Sequence, residues 1–289
     1  MYGAIEAGGT KFVCAVSDEK FNIVKRVSFP TVYPLETLKS VFDFFDSYGD
    51  LKAIGIGSFG PIDINIKSPQ YGYVTSTPKV DWRDFNFLGE MKAHYDMPIG
   101  WTTDVNAACL GEYELGSAIE DSSCIYLTIG TGIGGGAIFN GEFVEGFGHP
   151  EMGHILVKRH PDDDFSGWCP YHGDCLEGLA AGPSIEKRYG IKAQELEPGH
   201  RVWNYIAYYI AQGLVDYTLV LRPEKLILGG GVMKQSHILE LIKREFITLL
   251  ADYVKIPPID EYIVTPSLGD NAGVIGGLIL AKKKWEADR

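Results

Sequence analysis

AIEAGGTKFVCAV (residues 4–16) and YLTIGTGIGGGAIF (residues 126–139) share one design: a strand, a glycine-rich turn and a second strand. Each turn gathers backbone N–H groups into a small concavity of the kind that holds phosphate oxygens. In the first, Gly8, Gly9 and Thr10 let the main chain approach an anion and Lys11 adds a positive charge; Thr131 and Gly132 do the same in the second. Glycine also serves tight hairpins for their own sake. Two such turns, each with a threonine and about one small domain apart, point instead to a duplicated architecture that grips one polyphosphate from two sides. The expected ligand is ATP.

The segments around these turns alternate. Strands are expected at 2–7, 12–17 and 23–29, a helix after Pro34 through LETLKSVFDFF, a strand at KAIGIGS and a helix near 87–95. PIGWTTD reads as a strand ending at Asp104, with VNAACLGEYELG as the helix that follows. The second part continues with a Cys/His loop at about 159–178, a helix near 183–189, a long helix over roughly 200–221 and the strand KLILGGG, whose turn begins another helix. EYIVTP is a late strand and NAGVIGGLILAKKKW a closing helix. Hairpins followed by helix–strand alternation predict an α/β fold with mixed sheets. The domain boundary falls near 112–122, giving an N-terminal domain over 1–115, a C-terminal domain over 116–270 and the closing helix at about 271–289.

No Walker A loop is present. Gly55–Gly57–Gly60 and Gly130–Gly132–Gly135 match G-x-G-x-x-G, but neither leads into a helix as a dinucleotide site requires, so both read as chance matches. Gly229, Gly230 and Gly231 end a buried strand, a natural ligand crevice in an open α/β sheet. That turn, through Gly230, Gly231 and Val232, is assigned to the nucleoside end of ATP.

Asp104 stands where a strand meets a helix. Its plain role there is a helix N-cap; its chemical role is general base toward a hydroxyl attacking a γ-phosphate. Asn106, two residues on, either bonds a polyol or contributes to the turn. His154, Cys169, His172 and Cys175 follow the spacing H-x14-C-x2-H-x2-C. Two nitrogen and two sulfur donors suit tetrahedral Zn²⁺, and four protein ligands make such a site structural. His149 and His160 are the alternative ligands. The ion would fasten a loop carrying Glu151 and Glu177, carboxylates able to accept hydrogen bonds from sugar hydroxyls.

At 289 residues the chain is long enough for two domains, and 45% hydrophobic with 22% charged residues is ordinary for a globular protein. The formal charge of −12, with no basic run to offset it, disfavours nucleic acid and anionic membranes as partners. No apolar run approaches the ~20 residues of a membrane span. The N-terminus enters a strand without the basic and apolar regions of a signal peptide, so a cytoplasmic location is expected. Cys14, Cys109 and Cys124 sit in apolar patterns and read as buried small hydrophobes.

The motifs EAGGTK (6–11), SFGPID (58–63), TDVNAACLGE (103–112), IGTGIGGG (129–136), HPEMGH (149–154), CPYHGDCLEGLAAGPS (169–184) and LGGGV (228–232) run in order through nearly the whole chain. Together they resemble the ROK family (repressor, open reading frame, kinase) of bacterial sugar kinases, and more closely its zinc-containing fructokinase branch. The resemblance implies an actin-like, ribonuclease H-like ATPase fold of two α/β domains around a cleft, with the closing helix packed on the N-terminal domain. It implies that Asp104 is the catalytic base and that Asn106, Glu151, His154 and Glu177 line the sugar pocket, His154 also serving the zinc. By the same resemblance Thr131, Pro183 and the 229–233 turn contact ATP, Mg²⁺ accompanies it, and the chain is a homodimer. Three positions depart from the family pattern: Glu6 replaces the Asp of many members, His172 replaces a cysteine, and Thr103-Asp104 replaces Asn-Asp. The implied reaction is phosphorylation of a hexose, fructose first, with mannose, glucose or an N-acetylated amino sugar as alternatives. A sugar-responsive repressor would need a DNA-binding segment ahead of Glu6, and an actin-like assembly ATPase would not need the metal-tethered carboxylates.

Overall fold

The chain alternates buried β runs with amphipathic helices, and the computed structural model, which describes residues 1–289, resolves these into two compact units. Met1–Gly116, Phe143–His149 and Asp270–Arg289 form the first; Ser117–Glu142 and Pro150–Gly269 form the second. No helix is long and apolar enough to cross a membrane.

The first unit holds β1 (Tyr2–Ala7), β2 (Lys11–Ser17), β3 (Ile23–Pro30), α1 (Pro34–Phe45), β4 (Ala53–Ser58), α2 (Phe87–His94), β5 (Ile99–Thr103) and α3 (Asp104–Leu115). Its sheet runs β3-β2-β1-β4-β5. The hairpin partners are antiparallel, whereas β1 pairs with β4, and β4 with β5, in parallel. β4 is buried along its whole length, as a central strand covered on both faces must be. β3 alternates partly buried and exposed positions and carries Lys25 and Arg26, which suits an edge. One sheet face meets a core of large side chains, Phe12, Leu38, Phe45, Trp82 and Phe87 among them.

The second unit holds β6 (Ser123–Ile129), β7 (Ile133–Phe139), α4 (Leu176–Ala180), α5 (Gly182–Tyr189), α6 (Val202–Leu221), β9 (Lys225–Gly229), α7 (Ile238–Leu250), α8 (Ile259–Tyr262) and β10 (Ile263–Val264), with the short β8 (Glu142–Phe143) at its border. The sheet order is β10-β9-β6-β7-β8. β6 and β7 are an antiparallel hairpin, and β6 pairs with β9 in parallel. Read from its other edge, this is the order of the first sheet, so the duplication suggested by the two glycine turns extends to whole-sheet topology.

The closing helix α9 (Ala272–Ala287) belongs to the first unit, where Val274, Leu278 and Ala281 pack with Tyr2, Ala4, Val13, Ala15 and Ala53. Its crossing with α3 is backbone-close. A Cβ at Gly276 would lie 1.6 Å from the Ala107 carbonyl oxygen, and one at Gly111 2.4 Å from that of Ala272. The missing side chains let the two helices approach and hold the first turn of α3 against the sheet.

Three local expectations change. EYIVTP keeps only Ile263–Val264 as strand, because the preceding residues turn into α8 behind Pro258. The glycine turn after β9 leads into a 3-10 turn, Val232–Lys234, and the helix starts only at Ile238. Residues 143–149, read with the C-terminal half, return to the first unit.

Candidate active site

Asp104 is the first residue of α3, and the residue before it makes the cap: Thr103 Oγ1 accepts the Asn106 N–H at 3.1 Å. The sequence left capping and catalysis competing for one carboxylate; the structure gives capping to Thr103. Asp104 is half-buried, and its Oδ1 accepts the Val105 N–H at 2.9 Å.

Asn106 is 1% exposed. Its Nδ2 donates to Thr102 Oγ1 at 3.1 Å and to Glu145 Oε1 at 3.2 Å, while its Oδ1 is buried with no partner. The sequence reading did not single out Glu145, which lies 39 residues away with no spacing that ties it to α3. It arrives on the 143–149 segment, whose far end is fixed by His149: Nε2 lies 3.1 Å from both the N–H and the carbonyl oxygen of Ile62. Burial of the Glu145 carboxyl raises its pKa, and His149 opposes the rise. The donor cluster is formed by His154, Cys169, His172 and Cys175, while His160 Nδ1 accepts the Asp162 N–H.

At the first glycine turn the Gly8 N–H donates to the Lys11 carbonyl at 2.9 Å, and Thr31 braces the tip through bonds to Gly8 and Thr10 carbonyls. The cradle thus spends one of its amides on itself. Thr10 and Lys11 are exposed. Glu6, on β1 behind the turn, has its Oε2 buried with no partner; burial raises its pKa against the pull of Lys11 and Arg26. A carboxylate oxygen left unmatched behind the glycine turn fits a hard cation such as Mg²⁺.

The second unit repeats the arrangement. The Gly130 N–H donates to the Gly132 carbonyl at 2.9 Å, and Thr131 is exposed at the tip. The Gly182 N–H donates to the Gly130 carbonyl at 2.8 Å, placing Pro183 beside this turn. Gly230 has φ +93°, and a Cβ there would lie 2.5 Å from Ile129 backbone atoms, so only glycine permits the loop to fold against the end of β6. Thr131 and Gly132, Pro183 in the first turn of α5, and the turn through Gly230, Gly231 and Val232 therefore adjoin one another.

Glu177, on α4, is tied to the same hairpin: its Oε2 accepts the Ile133 N–H at 2.9 Å. His154 ends the 3-10 turn Met152–His154, which begins just after the exposed Glu151. That turn lies against β7, where a Cβ at Gly153 would meet the Ile133 carbonyl at 1.7 Å, and Tyr217 donates to the Met152 carbonyl at 2.5 Å. His154 Nε2 faces Glu177 Oε1 at 3.9 Å.

The other nitrogen of His154 faces sulfur. Nδ1 lies 3.6 Å from Cys169 Sγ and 3.5 Å from Cys175 Sγ, and Cys169 Sγ is 3.7 Å from His172 Nδ1. The four donor atoms all lie within 4.8 Å of one another. Metal bonds of about 2.3 Å to sulfur and 2.0–2.1 Å to nitrogen at a tetrahedral angle put S and N about 3.6 Å apart, so this donor set fits zinc. Backbone bonds between Cys169 and Gly173 close the loop into a knuckle. Burial pushes the Cys175 thiol up to about 11, with Cys169 and Glu177 adding to it. A buried ion pair anchors the approach to the loop: Arg188 to Asp163 at 2.8 Å, with Tyr209 donating to the same carboxylate.

Residues 2–284 match the profile of the ROK family. A Bacillus subtilis protein is 51% identical over all of this chain and 97% of its own length. The fructokinase of Streptococcus mutans is 49% identical, with 98% of each chain covered. Among solved structures, the ROK hexokinase of Thermus thermophilus superposes with a TM-score of 0.83 at 25% identity, covering 99% of both chains.

Proposed function

The chain belongs to the ROK family, and from that premise we propose that it is an ATP-dependent sugar kinase that transfers the γ-phosphate to the 6-hydroxyl of fructose. The observation that carries the reaction is Asp104: a carboxylate at the start of α3 whose capping duty falls to Thr103. Fructose is supported by the full-length similarity to the Streptococcus mutans enzyme.

In this reading Asp104 accepts the proton of the primary hydroxyl as its oxygen attacks phosphorus. Asn106, Glu151, His154 and Glu177 bond the other hydroxyls and fix the sugar's orientation. Gly8, Gly9, Thr10 and Lys11 receive phosphate oxygens, as do Thr131 and Gly132, while Pro183, Gly230, Gly231 and Val232 take the nucleoside end. Glu6 would hold Mg²⁺, which when bound neutralises charge on the β- and γ-phosphates. His154, Cys169, His172 and Cys175 would hold Zn²⁺, which supplies a fixed crosslink. Little covalent work falls to the protein, so position and electrostatics set the rate. We place the enzyme in the cytoplasm as a homodimer, following the family resemblance.

The test is ADP release with ATP, Mg²⁺ and a panel of hexoses. Fructose should give the highest kcat/KM and yield fructose 6-phosphate. A panel led by glucose, mannose or N-acetylmannosamine would overturn fructose as substrate, and ADP release independent of any sugar would overturn the kinase reading.

A further inference from the structure

Both hydrogens of the Asn106 amide are committed, one to Thr102 Oγ1 and one to Glu145 Oε1. Glu145 Oε1 accepts from the amide, so the atom facing Glu145 is nitrogen, and the orientation of the whole group follows. What remains is Oδ1, buried and unpartnered. An orphaned buried acceptor is costly unless something donates to it. Glu145 is not needed to build α3, which Thr103 caps and α9 packs. It reaches Asn106 from a separate segment secured at its other end by His149 on Ile62.

We propose that Glu145 is a positioning residue that fixes the polarity of the Asn106 amide, so that the sugar meets an acceptor only and must present a hydroxyl hydrogen there. This rests on the sugar-kinase reading. It makes Asn106 a filter for a donor at one ring position, set by a residue that does not itself touch the sugar.

The test pairs Glu145→Ala with Glu145→Gln in steady-state kinetics on fructose. Alanine frees the amide to rotate and should raise the fructose KM about tenfold, with kcat and the ATP KM within about twofold. Glutamine keeps an oxygen able to accept from Asn106 and should restore the fructose KM to within about threefold of wild type. An unchanged KM in the alanine variant overturns the proposal. Equal damage from both variants also overturns it, since it would make the carboxylate a direct sugar ligand. Should the alanine variant fail to fold, the wild-type enzyme decides. At one ring position a fluorine should bind worse than a hydrogen, because fluorine brings an acceptor against an acceptor; fluorine tolerated at every position contradicts the inference. A wild-type protein that phosphorylates no hexose would refute the function itself, a separate outcome.

Discussion

At the residue scale the informative position is the junction of β5 and α3. The sequence placed a carboxylate there and left two roles open, because an Asp at a strand–helix border caps as readily as it catalyses. In the structure Thr103 Oγ1 accepts the Asn106 N–H as the cap, and Asp104 Oδ1 accepts the adjacent Val105 N–H. Thr103→Ala should therefore cost about 1 kcal/mol of stability, read from the denaturant midpoint at unchanged slope. An unaltered midpoint would return the cap to Asp104 and weaken its case as a base. Legibility ended where contacts are long-range. The turns at Gly8, Gly132 and Gly230 were readable because such turns need glycine locally. Glu145 was not, because its bond to Asn106 depends on a segment returning to the first unit.

At the scale of elements, the hairpins, α3 and the closing helix followed from hydrophobic runs and their periodicity. The breaks came where proline or glycine chemistry intervened: Pro258 starts α8 and shortens the expected strand, and the turn at Gly230 delays α7 to Ile238. The Cys/His cluster was legible because its four donors are close in sequence, three of them within seven residues. The structure adds the division of His154, Nδ1 toward the thiols and Nε2 toward Glu177. The other ring nitrogen of a metal-bound histidine commonly takes a carboxylate partner. Folded, active protein should accordingly carry about one zinc per chain. Cys175→Ser should lose the metal and lower the melting temperature. Metal analysis finding well under one equivalent in active wild-type protein would remove the zinc and leave the Glu177–His154 contact to explain itself.

At the scale of the whole molecule, two sheets of the same strand order each present a glycine hairpin next to a parallel strand. The hairpin found twice suggested the duplication, and the helix–strand alternation around it suggested mixed sheets, since a tight turn joins antiparallel strands and a helical crossover allows parallel ones. In the proposed reaction this scaffold positions Asp104 to take a hydroxyl proton during phosphoryl transfer. The most direct measurement is the turnover of Asp104→Asn on fructose with saturating ATP and Mg²⁺. Its kcat should fall at least about a hundredfold below wild type, with both KM values within about threefold. A variant that turns over within about twofold of wild type would contradict it.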